Sequence, residues 1–71
     1  MEGTATTIQL NGEAHGVHAG QTLPELLAAL NLPAQSVLVE HNGTALFRAD
    51  WPGVRLANGD RLEIIRVVAG G

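Results

Sequence analysis

Thr22-Leu23-Pro24-Glu25-Leu26-Leu27-Ala28-Ala29-Leu30-Asn31-Leu32-Pro33 is the stretch that decides the fold. Threonine with a glutamate three residues later makes a capping box, in which each side chain accepts from the other residue's backbone N–H. Pro24 falls in the first turn, where a missing N–H leaves nothing unsatisfied. Leu23, Leu26, Leu27 and Leu30 follow the i, i+3, i+4, i+7 spacing of one apolar helical face. Ala28 and Ala29 favour the helix by propensity. Asn31 suits its C-terminal cap and Pro33 prevents continuation. The spacing predicts a helix of roughly three turns. It is the only helix signal in the chain, so its leucines must lie on a sheet made by the rest.

Upstream, Thr6-Thr7-Ile8-Gln9-Leu10 alternates as a half-buried strand does. Asn11-Gly12 suits a type I′ turn, whose central residues both need positive φ. Glu13 to His18 returns as a weaker strand, and Met1 to Ala5 carry no periodic signal. Downstream, Ser36 to His41 holds Val37-Leu38-Val39. Asn42-Gly43 is a second turn signal, followed by a short strand over Thr44 to Phe47. Asp50-Trp51-Pro52-Gly53 reads as an irregular or 3₁₀ turn, with Trp51 covering one end of the core. Asn58-Gly59-Asp60 is a third turn, and Leu62 to Val68 the last strand. A hairpin, a crossing helix and a last strand inserted centrally give the ubiquitin-like β-grasp. This is an α+β fold with a mixed four- to five-stranded sheet covered by one helix. The expected core is Ile8, Leu10, Val17, Leu23, Leu26, Leu27, Leu30, Val37, Val39, Leu56, Leu62 and Ile64.

At 71 residues the chain is one domain with a small core. It has no cysteine, so aliphatic packing must hold it together. No basic segment precedes an apolar stretch at the N-terminus, and no apolar run approaches a membrane span, so a cytoplasmic location is expected. The net charge is −3, and the four arginines (Arg48, Arg55, Arg61, Arg66) are scattered, which argues against a phosphate-backbone ligand. There is no lysine, so the chain is a poor acceptor of isopeptide bonds. His15 and His18, three apart on a predicted strand, face opposite ways, and His41 stands apart, so no metal site is expected. Thr22 and Glu25 are explained by capping.

The chain ends Val68-Ala69-Gly70-Gly71. An extended Gly-Gly segment has no side chains to block its entry into a narrow active-site channel. The expectation is a flexible reactive tail over 69–71, with the carboxylate of Gly71 as the group that another protein activates and loads. The competing reading is a frayed end without a role. Alternation in the last strand sends Leu62 and Ile64 toward the helix and Glu63, Ile65 and Val67 away from it, with Leu38 on the same outer face. Leu38, Ile65 and Val67, with Val68 and Ala69 alongside, are the expected partner-binding patch, set against the plainer reading of scattered surface apolar residues. Arg48 and Arg66 read as surface charges, with contact to an acidic partner as the alternative for Arg66, which lies near the tail.

From Ile8 to Gly71 the chain resembles the ThiS family, the sulfur carriers of thiamine biosynthesis. The landmarks are the Asn11-Gly12 turn, Ala19-Gly20-Gln21-Thr22-Leu23 leading into the Leu26-Leu27 helix, and Asn42. They continue with Arg48 three residues before Trp51, then Leu56, Gly59-Asp60 and the Val68-Ala69-Gly70-Gly71 ending. Phe47 stands where the family often has proline or a small residue. The resemblance implies that a ThiF-like enzyme, using ATP and magnesium, adenylates the terminal carboxylate. It further implies that a sulfur donor, a cysteine desulfurase or similar, converts it to a thiocarboxylate, and that thiazole synthase (ThiG) takes the sulfur. The chain would then be a substrate rather than an enzyme, with no cofactor of its own. A MoaD-like small subunit of molybdopterin synthase, another sulfur carrier such as one for tRNA thiolation, a ubiquitin-like protein modifier and a bare interaction module are the alternatives. The short first hairpin and the lack of a proline pair before the tail favour ThiS.

Overall fold

Two Asn-Gly pairs reverse the chain, and each does so in the left-handed region that type I′ turns require. Asn11 and Gly12 have φ of 51° and 85°, and Asn42 and Gly43 have 52° and 86°. The first turn joins β1 (Thr6–Leu10) to β2 (Glu13–Val17) as an antiparallel hairpin. The second joins β3 (Val37–His41) to β4 (Thr44–Leu46). The computed structural model describes residues 6–67; the expectations for Met1–Ala5 and for the Val68, Ala69, Gly70 and Gly71 tail lie outside the described residues.

Between the hairpins runs α1 (Leu23–Ala29), opened by the expected capping box. The Glu25 N–H donates to Thr22 Oγ1 at 3.3 Å, and the Thr22 N–H donates to Glu25 Oε1 at 2.9 Å. The helix is seven residues long, about two turns rather than three. Its end is a Schellman motif. Asn31, at φ 58°, donates its N–H to the Ala28 carbonyl, and the Leu32 N–H reaches back to the Leu27 carbonyl at 2.9 Å. Asn31 is therefore the cap the sequence predicted, and Leu30 becomes the last half-turn instead of continuing the helix.

β5 (Arg61–Arg66) completes a five-stranded sheet of order β2-β1-β5-β3-β4. It runs parallel to β1 and antiparallel to β3, which is the predicted β-grasp with the last strand at the centre. Both edges of β5 are tied by the turn asparagines. Asn11 Oδ1 accepts from the Ile64 N–H at 2.7 Å, and its Nδ2 donates to the Ile64 carbonyl at 3.2 Å. On the other edge Asn42 Oδ1 accepts from the Arg61 N–H at 2.8 Å. An amide side chain thus continues each ladder where the partner strand turns away.

The core is Ile8, Leu23, Leu26, Leu27, Val37, Val39, Trp51, Leu56, Leu62 and Ile64. Leu10, Val17 and Leu30, expected inside, are partly buried and pack against its rim. Each sits where cover runs out, at the end of β1, on the edge strand β2 and at the helix cap. Trp51 joins the buried core. It lies in a 3₁₀ turn, Arg48–Gly53, that packs against α1, and it is buried without a hydrogen-bond partner for Nε1 among the described residues. The last strand ends earlier than predicted. Val67 nevertheless stays tied to the sheet, its N–H donating to the Ser36 carbonyl at 2.7 Å.

Candidate functional site

β5 carries the chain toward its C-terminus, so the site is built on this strand and its neighbour β3. Pairing sets Leu38 directly opposite Ile65 and Val37 opposite Arg66. Val37 is buried and Leu38 exposed, so the alternation expected from the sequence holds. Leu38 is 60% exposed, Ile65 50% and Val67 48%. The structure thus sets Leu38 and Ile65 side by side on the face away from α1, with the exposed Val67 just past the end of the strand. Val68, Ala69, Gly70 and Gly71, the remaining positions expected to act, lie outside the described residues.

Arg66 does not join this patch. Its register puts it on the helix side, where it lines a notch of about 160 Å³ with Leu10, Asn11, Leu30, Leu32 and Ile64. Strand parity counted from Ile64 carries that signal. Phe47, one residue beyond β4, is the most exposed large apolar side chain among the described residues, at 79%. The sequence marks it only as a departure from the family pattern.

One row along β5 from Ile65, Glu63 stands opposite Glu40 of β3, both exposed on the same outer face. Alternation already set Glu63 on this face, but its pairing with Glu40 was not legible because β3 and β5 are far apart in the chain and their register is a tertiary fact.

Behind this face a polar clasp fixes the entry to β5. Asp60 Oδ2 accepts from His41 Nε2 and from the Ala57 N–H, both at 2.9 Å, while Oδ1 accepts from Asn42 Nδ2 at 3.2 Å. Burial works to raise the Asp60 pKa, but the bonds from His41, Ala57 and Asn42 and the His41 charge outweigh it, leaving the carboxyl below its usual range. Glu25 is also held low, first by the Thr22 backbone N–H and then by its hydroxyl. His41 is half-buried in the clasp rather than an isolated surface histidine.

A larger cleft, about 370 Å³, opens at the β2 edge between the strand and α1. His15, on β2, and His18, in the loop that follows it, both line it. The strand stops at Val17, and His18 follows in a loop where strand alternation no longer applies. Among the described residues no group of three metal-ligating side chains comes together, and no helix is long and apolar enough to cross a membrane. The outer face presents exposed apolar side chains, Leu38 and Ile65, in adjacent strands.

Known proteins resemble this chain throughout its length. The model of the ThiS family matches residues 5–71. A thiazole synthase of Magnetococcus marinus is 38% identical over 64 residues, covering 90% of this chain and 20% of that protein. A thiazole synthase of Paramagnetospirillum magneticum is 32% identical over 62 residues, 87% of this chain and 19% of that protein. The chain therefore spans about a fifth of each of these relatives. The crystal structure of the thiamine biosynthesis protein ThiS from Geobacter metallireducens superposes with a TM-score of 0.80 at 30% identity, covering 93% of this chain and 100% of that one.

Proposed function

The chain belongs to the ThiS family, and from that premise we propose that it is the sulfur carrier of thiamine biosynthesis, working as a substrate through the carboxylate of Gly71. The observation that carries the reading is the family match running through residue 71 on a β-grasp body. Thiazole synthase is the proposed recipient of the sulfur, in keeping with relatives of that name in which a similar segment occurs.

The chemistry explains why a carrier needs an activating partner. A C-terminal carboxylate has a pKa of about 3.3–3.7, so at neutral pH it is an anion and a poor electrophile. Attack of its oxygen on the α-phosphorus of ATP expels pyrophosphate and leaves a mixed anhydride with AMP. Sulfide attack at that carbonyl expels AMP and leaves the thiocarboxylate. The approach of two anions must be offset by magnesium and basic groups, which the ThiF-like partner supplies. The proposed sulfur donor is a cysteine desulfurase or a similar enzyme, whose persulfide sulfur is released as sulfide by a two-electron thiol reductant, and the proposed compartment is the cytoplasm.

If the chain leaves the sheet near Val67, about five residues at ~3.3–3.6 Å each give a reach on the order of 17 Å, enough to pass from a docking surface into a buried site. The test is intact mass after incubation with ATP, magnesium, the cognate activating enzyme and sulfide. The expected gain is that of one sulfur replacing one oxygen, and Gly71→Ala should sharply reduce it. Full thiocarboxylate formation by Gly71→Ala, or none by the native chain, would overturn the reading.

A further inference from the structure

We propose that Asn58–Gly59 is a site of spontaneous covalent modification, and that Thr7 controls it. The Asn58 side chain closes onto the Gly59 nitrogen, and the ring hydrolyses to aspartyl and isoaspartyl forms. The site is independent of the sulfur-carrier reading.

The chain has three Asn-Gly pairs, at 11–12, 42–43 and 58–59. An asparagine followed by glycine is chemically exposed, because glycine carries no side chain to obstruct attack by its own nitrogen. In that attack the glycine nitrogen loses its proton to solvent and bonds to the asparagine Cγ. The Cγ–Nδ2 bond breaks and ammonia leaves. Water then opens the five-membered succinimide at either carbonyl. One water enters and one ammonia departs, and nothing is oxidised or reduced.

The fold locks the three pairs differently. Asn11 gives both ends of its amide to Ile64, Oδ1 accepting at 2.7 Å and Nδ2 donating at 3.2 Å. Asn42 Oδ1 accepts from the Arg61 N–H at 2.8 Å, and its Nδ2 donates to Asp60 Oδ1 at 3.2 Å. Each of these amides is anchored at two points to β5 or its entry, so ring closure there must disturb the centre of the sheet. Asn58 is anchored at one point. Its Oδ1 accepts from the Thr7 N–H at 2.9 Å, and its Nδ2 has no partner among the described residues. The attacking nitrogen is held by the same residue, since the Gly59 N–H donates to the Thr7 carbonyl at 2.8 Å. Electrophile and nucleophile therefore share one lock. Thr7 is the second residue of β1, and its partner Gly16 lies on the edge strand β2. The end of a strand opens at far lower cost than the middle of a sheet. Asn58 and Gly59 are exposed, so solvent can take the proton and supply the water.

The product bears on the clasp. The turn is closed by the Asp60 N–H on the Ala57 carbonyl at 3.0 Å and by Asp60 Oδ2 accepting from the Ala57 N–H at 2.9 Å. An isoaspartyl link adds a backbone methylene between Ala57 and Asp60, and its free carboxylate brings a second negative charge beside Asp60. Both changes work against the bonds from His41 and Asn42 to Asp60.

The test ages the intact chain in warm, mildly alkaline buffer, folded and in concentrated urea, and follows amide-to-acid conversion by mass spectrometry. Cleavage at Arg55 and Arg61 isolates Asn58, and fragmentation separates Asn11 from Asn42. With each folded-state rate divided by the same site's rate in urea, Asn58 should react at least about tenfold faster than Asn11 or Asn42. Amide hydrogen exchange gives an independent reading, in which Gly59 should be far less protected than Ile64. The isoaspartyl chain, separated by its added charge, should melt at a lower temperature than the native one. Normalised rates at Asn11 or Asn42 that match Asn58, or a Gly59 amide as protected as Ile64, would overturn the proposal. An unchanged melting temperature would overturn the link to the clasp.

Discussion

Replacing Asp60 with alanine removes the acceptor at the centre of the clasp that leads into β5. Its carboxylate takes hydrogen bonds from His41, Asn42 and the Ala57 N–H. The side chains of His41 and Asp60 are 24% and 14% exposed, so water reaches the freed donors only in part. A hydrogen bond to a charged group contributes about 1.5–3 kcal/mol when well buried and less when solvent competes, so the loss should be about 2–3 kcal/mol in total. For a domain of this size that lowers Tm by about 10–20 °C. The sign with pH follows from the depressed carboxyl. Asp60 is easier to ionise folded than unfolded, so its contribution is complete above the unfolded value of about 3.9 and fades as pH falls through the lower folded value. The assay is urea unfolding followed by the fluorescence of Trp51, the only tryptophan and a buried one, at pH 7 and stepwise below pH 4. The gap between native and Asp60→Ala should be widest at neutral pH and close in acid. A gap under about 0.5 kcal/mol at pH 7, or one that persists undiminished in acid, would refute the reasoning.

Leu62→Ala, on the central strand at a site with 0% exposure, should lose about 3 kcal/mol in the same urea assay, and a native midpoint would contradict the core assignment. Thr22→Ala removes the hydroxyl that accepts from the Glu25 N–H and should lower stability by about 1 kcal/mol, measured by thermal melting. Ile65→Asp should fold like native, because the side chain is half-exposed, yet bind the activating enzyme more weakly in titration; native affinity would remove Ile65 from the docking face.

Features confined to a few residues were legible in the sequence. Thr22 and Glu25 are three apart, and each Asn-Gly turn is a dipeptide, so local geometry determines them. Alternation along β3 and β5 correctly assigned Leu38, Ile65 and Val67 to the outer face, and it also held the information that Arg66 turns inward. The polar ties that hold the site were not legible. Asn11 meets Ile64 across 53 positions, and His41 meets Asp60 across 19, distances at which no spacing rule operates. The burial of Trp51 likewise depends on where the 3₁₀ turn docks. The strand period was carried to His18, one residue past Val17, where the strand ends.

β5 lies at the centre of the sheet, and under the proposed carrier function that placement has a mechanical reason. A carrier would offer its end to a partner enzyme, and any pull on that end is felt first by the segment leading there. An edge strand would peel, since only one ladder holds it. β5 is held by ladders to β1 and β3 and by the Asn11 and Asn42 side chains, with Leu62 and Ile64 buried beneath α1. Opening of the strand as far as Ile64 must therefore break contacts on two sides at once, which sets its free energy near that of global unfolding, whereas Ile65 and Arg66 are held by β3 alone. Amide hydrogen exchange should show this directly. Leu62 and Ile64 should exchange as slowly as the helix core, whereas amides of the edge strand β4 should exchange much faster. Exchange of Ile64 at the β4 rate would mean that the central strand opens on its own, and the mechanical reason for its position would fall.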